Sequence, residues 1–216
     1  LDTVVAAVDV PVTLKTRLGY LNGDENILRV AQRAEDAGIA ALALHGRTRE
    51  DMYLNTARYS LIRDVKQMLS IPVIANGDID SPEKAKYVLD YTGADGIMIG
   101  RAAQGRPWIF REISHYLETG QHLAAPNIQE VKDVLLGHLS ELYTFYGEYS
   151  GCRISRKHIA WYTKGLRSSN EFRQNMYKVE STNAQFKVVE DYFNQLLMYG
   201  DIMSDVQVEQ VNLLET

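Results

Sequence analysis

Four short apolar runs, each closed by polar residues, recur along the first part of the chain and constrain its fold more than any other feature. They read VPVTLKTR (10–17), IAALALHGR (39–47), IPVIANGD (71–78) and GIMIGR (96–101). Helix-length segments lie between them, at residues 24–37, 57–69 and 81–91. Apolar runs suit strands buried on both faces, and alternation with helices over short connections predicts right-handed βαβ units. The sequence therefore predicts an α/β fold with a parallel sheet.

The two halves of this region repeat one pattern. Each half begins with an Xaa-Pro-Val strand, at Val10 and at Ile71, and ends in Gly-Arg, at Arg47 and at Arg101. A doubled βαβ unit is typical of a (β/α)8 TIM barrel, which needs about 250 residues. We therefore predict that residues 1–122 form half of such a barrel. An open doubly wound sheet remains an alternative, although no G-x-G-x-x-G follows any strand.

From residue 128 the apolar spacing becomes helical. The predicted helices span 128–146, 153–166, 171–178 and 183–199, and the predicted breaks lie at Gly151, Gly165 and Gly200. Residues 121–127 contain Pro126 and predict a linker. We expect an all-α helical domain over residues 127–200. Residues 201–216 hold four acids and no Lys or Arg, which predicts an acidic tail.

Polar residues at the strand ends are the candidate site, because barrel active sites lie at the carboxyl ends of the strands. They are Lys15 and Arg17 on the first strand, His45 on the second, Asn76, Gly77 and Asp78 on the third, and Gly100 and Arg101 on the fourth. Glycine N–H groups and a helix N-terminus bind phosphate well, and an arginine adds a bidentate contact. We therefore predict that Asn76, Gly77, Gly100 and Arg101 bind a phosphorylated ligand.

Each of these residues has a plainer interpretation when it is taken alone. Arg101 suits a surface cap, Lys15 can extend to solvent, and His45 suits a buried core position. The four strand ends taken together favour the site.

A basic segment stands out because the whole protein is acidic, with a net charge of −5. Residues 152–173 hold six Lys or Arg, one His and one acid. Arg153, Lys157, Trp161 and Lys164 share one helical face, a pattern that suits RNA phosphates and bases. The alternative is that Trp161 and Ile159 pack in the core while the cations are solvated.

Other features limit the class of protein. No apolar run approaches the roughly 20 residues of a membrane helix, and the start of the chain lacks the basic lead of a signal peptide. The single cysteine, Cys152, fits a reducing cytoplasm. We expect a cytoplasmic protein with no membrane partner and no metal site. Because the chain begins with Leu1, about ten residues before its first strand, we expect a fragment.

The segments VTLKTRLG, LALHGRTREDMY, IPVIANGDI, GIMIGRAAQGRPWIF and RISRKHIAWYTKGL together resemble the tRNA-dihydrouridine synthase family, in particular its bacterial B-type members. The resemblance implies an FMN-dependent TIM barrel that reduces uridine in tRNA to 5,6-dihydrouridine with NADPH. This chain would supply the C-terminal half of that barrel and the helical tRNA-binding domain.

The resemblance also implies residue roles. Lys15 matches a lysine at the flavin ring and His45 an FMN-binding histidine. Asn76, Gly77 and Asp78 match the loop beside the FMN phosphate. Gly100 and Arg101 match the second phosphate loop. The residues expected to face the substrate are Arg17, Arg47 and Arg49, and those expected to contact tRNA are Arg153, Arg156, Lys157, His158 and Lys164.

One family feature does not occur in this sequence. The general-acid cysteine of the family lies in a Gly-Cys-Pro motif upstream of the strand that begins this chain, and Cys152, in SGCRIS, does not match it. We therefore expect no catalytic residue in this chain and no turnover by the chain alone. We also expect that the missing strands or a partner chain cover the open edges of its sheet. The alternatives are an RNA-binding module without flavin, or another flavin- or phosphate-binding barrel that acts on a small molecule.

Overall fold

The computed structural model describes residues 1–52 and 54–200, which form two compact units. We call residues 1–103 with 108–122 the α/β unit, and residues 104–107 with 123–200 the helical unit. The division lies where the sequence changes pattern, except that the short loop 104–107 belongs to the helical unit. The expected acidic tail, 201–216, lies outside the described residues.

The α/β unit alternates strands and helices. Its elements are α1 (Asp2–Val5), β1 (Thr13–Arg17), α2 (Ile27–Asp36), β2 (Ala41–His45), α3 (Tyr59–Met68), β3 (Val73–Asn76), α4 (Pro82–Thr92), β4 (Gly96–Met98) and α5 (Ile109–Thr119), with a 3-10 turn, Arg101–Ala103, after β4. The strands form one parallel sheet in the order β1-β2-β3-β4. This confirms the predicted α/β fold and parallel sheet. In a doubly wound sheet the strand order reverses at one point, whereas within the described residues the strand order follows the chain order throughout.

The two faces of the sheet have different surroundings. Leu42, Leu44, Val73 and Ala75 point to one face and are fully buried, where they join a core that includes Val65 of α3. Full burial of one such aliphatic side chain contributes about 1.5–3 kcal/mol, so this face holds the helices on the sheet. The other face carries Lys15, Ala43, Ile74 and Gly96, all of them exposed or half-buried.

Local signals explain the limits of α4, which the sequence predicts closely. Ser81 caps its first turn, since Oγ accepts a hydrogen bond of 3.1 Å from the Lys84 N–H, and Pro82 takes the first helical position. Gly93, with φ +67°, ends the helix in a left-handed conformation.

The helical unit consists of α6 (Ile128–Tyr162), α7 (Ser169–Met176) and α8 (Thr182–Tyr199). A break at Gly147, with φ 72° and ψ 179°, divides α6 into segments 128–146 and 148–162. The predicted break at Gly151 is wrong. Gly151 is buried inside the helix, and a Cβ there would lie 3.1 Å from the Tyr143 Cα, so this glycine permits close packing instead.

A buried polar cluster ties the segments of the helical unit together. The Gln185 side-chain oxygen accepts hydrogen bonds from the Tyr143 hydroxyl (2.8 Å) and the Ser155 hydroxyl (3.0 Å), and its nitrogen donates to the Cys152 carbonyl (3.1 Å). Burial raises the pKa of the adjacent Cys152 thiol, which keeps it protonated and unreactive.

Among the described residues, no helix combines the length and the apolar character that a membrane span requires.

Candidate functional site

The strand register brings the predicted polar residues into one row. Arg17 is paired with His45, His45 with Asn76, and Asn76 with Met98 across the four strands. Paired residues of parallel strands direct their side chains to the same face. The row therefore crosses the carboxyl end of the sheet on the less buried face, with Lys15 one step behind it.

Lys15, behind the row on β1, is hydrogen-bonded to Asn76 of the row on β3. The Lys15 ammonium donates to the Asn76 side-chain oxygen at 3.1 Å, and the Asn76 amide nitrogen donates to the Met98 carbonyl at 2.7 Å. Both ends of the carboxamide are thus fixed. Burial and then the charge of Arg17 lower the pKa of Lys15. An ammonium has three donors, and Asn76 accepts from one of them.

Arg47 was expected to face the substrate, but the structure buries it. Only 3% of the residue is exposed, and its two terminal nitrogens bind both carboxylate oxygens of Asp78 at 2.7 Å. The Arg47 Nε donates to the Asn55 carbonyl at 2.5 Å. A side chain held in this way does not face a substrate, so the structure gives Arg47 an internal role. The cause is the sharp turn after β2, where the Arg47 N–H donates to the His45 carbonyl at 2.8 Å.

Asp78 is held by three donors rather than left free in the phosphate loop. Besides Arg47, the Ala57 N–H donates to it at 2.9 Å and Arg101 lies 3.3 Å away. Burial on its own raises the pKa of Asp78, but the hydrogen bonds from Arg47 and from the Ala57 N–H outweigh it and hold the pKa below the usual range. The loop therefore carries a neutralised carboxylate, which does not repel a nearby anion.

The two candidate phosphate-loop glycines have different surroundings. Gly77 has φ +123°, and a Cβ there would lie 2.9 Å from both the Ala57 Cβ and the His45 Cδ2. Its carbonyl accepts a hydrogen bond of 2.7 Å from the Tyr59 hydroxyl. A Cβ on Gly100 would meet nothing within 4 Å. Gly77 is thus required for packing, while Gly100 borders open space.

His45 is buried and neutral at physiological pH. It is 7% exposed, and burial, followed by the charges of Arg17, Lys15 and Arg47, lowers its pKa to about 4. An Arg47 terminal nitrogen lies 3.5 Å from Nε2. Because a guanidinium can only donate, this contact favours the tautomer with the proton on Nδ1.

The lowered pKa of His45 predicts a pH dependence of stability. The unfolded imidazole titrates near 6.5 and the folded one near 4. The unfolded state binds more protons between these values, so stability falls as the pH drops from about 6.5 toward 4. Urea unfolding at stepped pH values measures this fall, and a His45→Gln variant should show a shallower one. An NMR titration of His45 with a midpoint above 6 would contradict the prediction.

Sequence reasoning missed a network that joins the loops after β1 and β2. Thr48 and Asp51 form two reciprocal hydrogen bonds. The Thr48 N–H donates to the Asp51 carboxylate at 2.7 Å, and the Asp51 N–H donates to the Thr48 hydroxyl at 3.2 Å. Arg58 binds Asp51 at 2.9 Å and also pairs with Glu25. The sequence signal that could have revealed this network is the Thr-x-x-Asp spacing from Thr48 to Asp51, which is typical of a capping box. Hydrogen bonds, first from Asn55, lower the pKa of Asp51.

The other two expected substrate arginines lie on or near this network. Arg17 donates to the Thr48 carbonyl at 2.7 Å and lies 3.4 Å from the Met52 carbonyl. Arg49 is exposed, and its guanidinium contacts the Met52 sulfur at 2.7 Å.

The predicted RNA-contacting residues of the helical unit fall into two groups. Arg153, Lys157 and Lys164 are exposed on segment 148–162 and just beyond it. Arg156 is half-buried and donates to the Val179 carbonyl at 2.9 Å. His158 lies between two rings, 4.8 Å from His138 and 5.0 Å from Trp161, and burial, then His138, lowers its pKa. The first group is exposed on the surface, whereas the second takes part in the packing of the helical unit.

Comparisons with known proteins agree with one another. Residues 1–197 match the family described as dihydrouridine synthase. The chain is 57% identical over 196 residues to tRNA-dihydrouridine synthase B of Vibrio vulnificus, covering 91% of this chain and 61% of that protein. The protein of the same name from Pseudomonas aeruginosa is 56% identical, with coverage of 89% and 58%. The chain thus spans about three fifths of these curated relatives.

Among solved structures, a mandelate oxidase variant overlaps 55% of this chain and 42% of its own, at 24% identity and a TM-score of 0.39.

Proposed function

The chain belongs to the dihydrouridine synthase family, and from this premise we propose that it provides the flavin- and tRNA-binding parts of an enzyme that reduces uridine in tRNA to 5,6-dihydrouridine. The proposed cofactor is FMN and the proposed reductant NADPH. The observation that supports it most directly is the convergence of Lys15, Asn76 and Arg101 beside the open space at Gly100.

The strand-end residues have a chemistry that fits FMN. Lys15, Arg17, Arg47 and Arg101 carry four positive charges, against one carboxylate at Asp78. Such an excess suits a phosphate dianion. The half-buried sheet face behind Lys15 offers a surface for a flat ring system. When bound, FMN would supply hydride transfer from NADPH to uridine C6.

The chain's own residues would hold and orient that cofactor. Lys15, steered by Asn76, would donate to the ring, and a close charge pair at an effective dielectric near 20 is worth up to about 4 kcal/mol. Gly100 and Arg101 would bind the phosphate, with the Asn76–Asp78 loop beside it. Neutral His45 would present Nδ1–H, and the Arg47–Asp78 pair would keep the loop in place. Arg17 and Arg49 would face the substrate.

The proton for uridine C5 would come from outside these residues. Cys152 is buried in the helical unit with a raised pKa, which is unsuited to a general acid. We therefore place the cysteine and the remaining barrel strands in the part of the relatives that this chain does not span, and expect no turnover from the chain alone. On this proposal the four described strands are the C-terminal half of a TIM barrel.

Gly100→Ala tests the flavin site. The added methyl enters open space, so we expect stability within about 0.5 kcal/mol of wild type but FMN binding weakened at least about tenfold, because the phosphate approaches the backbone there. Titration of the 216-residue chain with FMN, followed by flavin fluorescence, measures this. Gly93→Ala is the control, since it changes a glycine away from the strand ends. FMN affinity equal to wild type in Gly100→Ala would contradict the site.

Arg153→Ala with Lys157→Ala tests tRNA binding. Loss of two phosphate contacts should lower the slope of log K against log salt by about 1.4–1.8. The measurement is fluorescence anisotropy with a tRNA transcript. Arg29→Ala with Lys86→Ala removes the same charge from exposed positions of the α/β unit and should leave the slope unchanged. An unchanged slope in the first variant would contradict the assignment.

The two titrations also separate the alternative functions. A chain that binds tRNA but no FMN would support an RNA-binding module. A chain that binds FMN but no tRNA would support a flavin barrel that acts on a small molecule.

A further inference from the structure

Segment 148–162 of α6 carries two cations between two rings along one face, on which Tyr149, Arg153 and Lys157 are exposed and Trp161 is half-buried. Tyr149, Arg153, Lys157 and Trp161 follow one another at every fourth position, and we call these four residues the aromatic–cation stripe. The opposite face of the segment is fully buried through Cys152, Ser155 and Ile159. The stripe therefore lies on the solvent side of a helix that is fixed from behind.

The cations of the stripe lie over its rings instead of pairing with acids. The Arg153 guanidinium lies 5.1 Å from the Tyr149 ring centre and donates to its hydroxyl at 3.1 Å. The Lys157 ammonium lies 5.5 Å from the Trp161 ring centre. Neither cation forms an ion pair with any residue in 1–52 or 54–200. The stripe is thus a local positive charge that is not neutralised, in a protein of net charge −5.

Tyr149 is the most accessible ring of the stripe, with 72% of the residue exposed. Arg153 covers one side of that ring and fixes its orientation through the hydroxyl, so a flat ligand can stack on the other side. An isolated exposed ring held by an adjacent arginine is a stacking platform of the kind that single-stranded nucleic acids use.

We propose that Tyr149 stacks on an unpaired base of the bound RNA while Arg153 and Lys157 contact the phosphates that flank it. The inference rests on the proposed RNA binding and adds to it a preference for an unpaired nucleotide. In a duplex the bases are already stacked, and side chains reach only their edges and the backbone. The cations alone would bind both forms of RNA, whereas the ring distinguishes them.

Tyr149→Ala is the decisive variant, because an exposed side chain can be truncated at little cost to folding. The probes are oligouridylate and a blunt RNA duplex of equal length, with affinity measured by anisotropy. We expect the variant to lose about 5- to 100-fold in affinity for oligouridylate, with an unchanged salt slope and unchanged duplex affinity. Tyr149→Phe should bind oligouridylate within about twofold of wild type, because it keeps the ring.

Tyr91→Ala is the matched control. Tyr91 is also an exposed tyrosine beneath an arginine, with Arg63 at 5.3 Å from its ring, but it lies in the α/β unit. This variant should bind both probes as wild type does.

Other outcomes would overturn the inference. Equal losses for oligouridylate and duplex would give Tyr149 only a structural role, and no loss would remove it from the interface. Loss of self-association in Tyr149→Ala, with RNA affinity unchanged, would assign the stripe to a protein contact. If wild type binds neither probe, the proposed RNA binding itself fails; if wild type binds and Tyr149→Ala binds equally well, the RNA binding stands and the stacking fails.

Discussion

Arg47→Met lowers the free energy of unfolding of the α/β unit by about 3–5 kcal/mol, the cost of breaking a buried ion pair from one side. The variant leaves the Asp78 carboxylate without the two hydrogen bonds of 2.7 Å that neutralise it. Arg101, at 3.3 Å and largely exposed, compensates only in part. Urea unfolding at pH 7 measures the loss.

The pH dependence separates an electrostatic cause from simple loss of packing. The pKa of Asp78 lies below its usual range in the folded protein, so the pair contributes stability above pH about 4 that is lost as the pH falls through the folded value. In Arg47→Met the carboxylate can protonate at low pH and escape its unpaired state. The destabilisation should therefore be smaller at pH 4 than at pH 7.

Lys86→Met is the control for this prediction. Lys86 pairs with Asp90 at 2.9 Å, but the two side chains are 53% and 63% exposed. A surface pair of this kind contributes about 0.3–0.5 kcal/mol. Equal losses in Arg47→Met and Lys86→Met would refute the structural role of the buried pair.

Gly77→Ala produces a second large effect, a loss of about 3 kcal/mol or more in stability together with loss of the flavin site. The added Cβ would lie 2.9 Å from Ala57 and from His45 at φ +123°, so steric overlap adds to backbone strain of about 1–3 kcal/mol. The overlap also displaces His45 from the strand-end row. Thermal unfolding and FMN titration measure the two parts.

Gly93→Ala shows how much of this loss is strain alone. Gly93 has φ +67°, and a Cβ added there would meet nothing within 4 Å, so alanine should cost only about 1 kcal/mol. If Gly77→Ala is no more destabilising than Gly93→Ala, the close approach to His45 does not carry the effect.

The sequence determined the elements of the fold because their causes are local. Apolar runs with polar ends predicted the strands, and the helix-length segments between them predicted α2, α3 and α4. The break in α6 was predicted at the wrong glycine, because Gly147 interrupts the helix and Gly151 lies buried inside it. The same locality identified the strand-end row, because parallel strands end at one edge of a sheet. The family followed from motifs in order, and the comparisons confirm it.

Only the tertiary structure decided what each polar residue does there. Arg47 and Arg101 follow the same Gly-Arg pattern, yet one is buried against Asp78 and the other is exposed. Gly77 and Gly100 look alike in sequence, yet one packs on His45 and the other borders open space. These differences arise from contacts between residues about 20 to 30 positions apart, and a local pattern does not encode which distant side chain will neutralise a charge or fill a space.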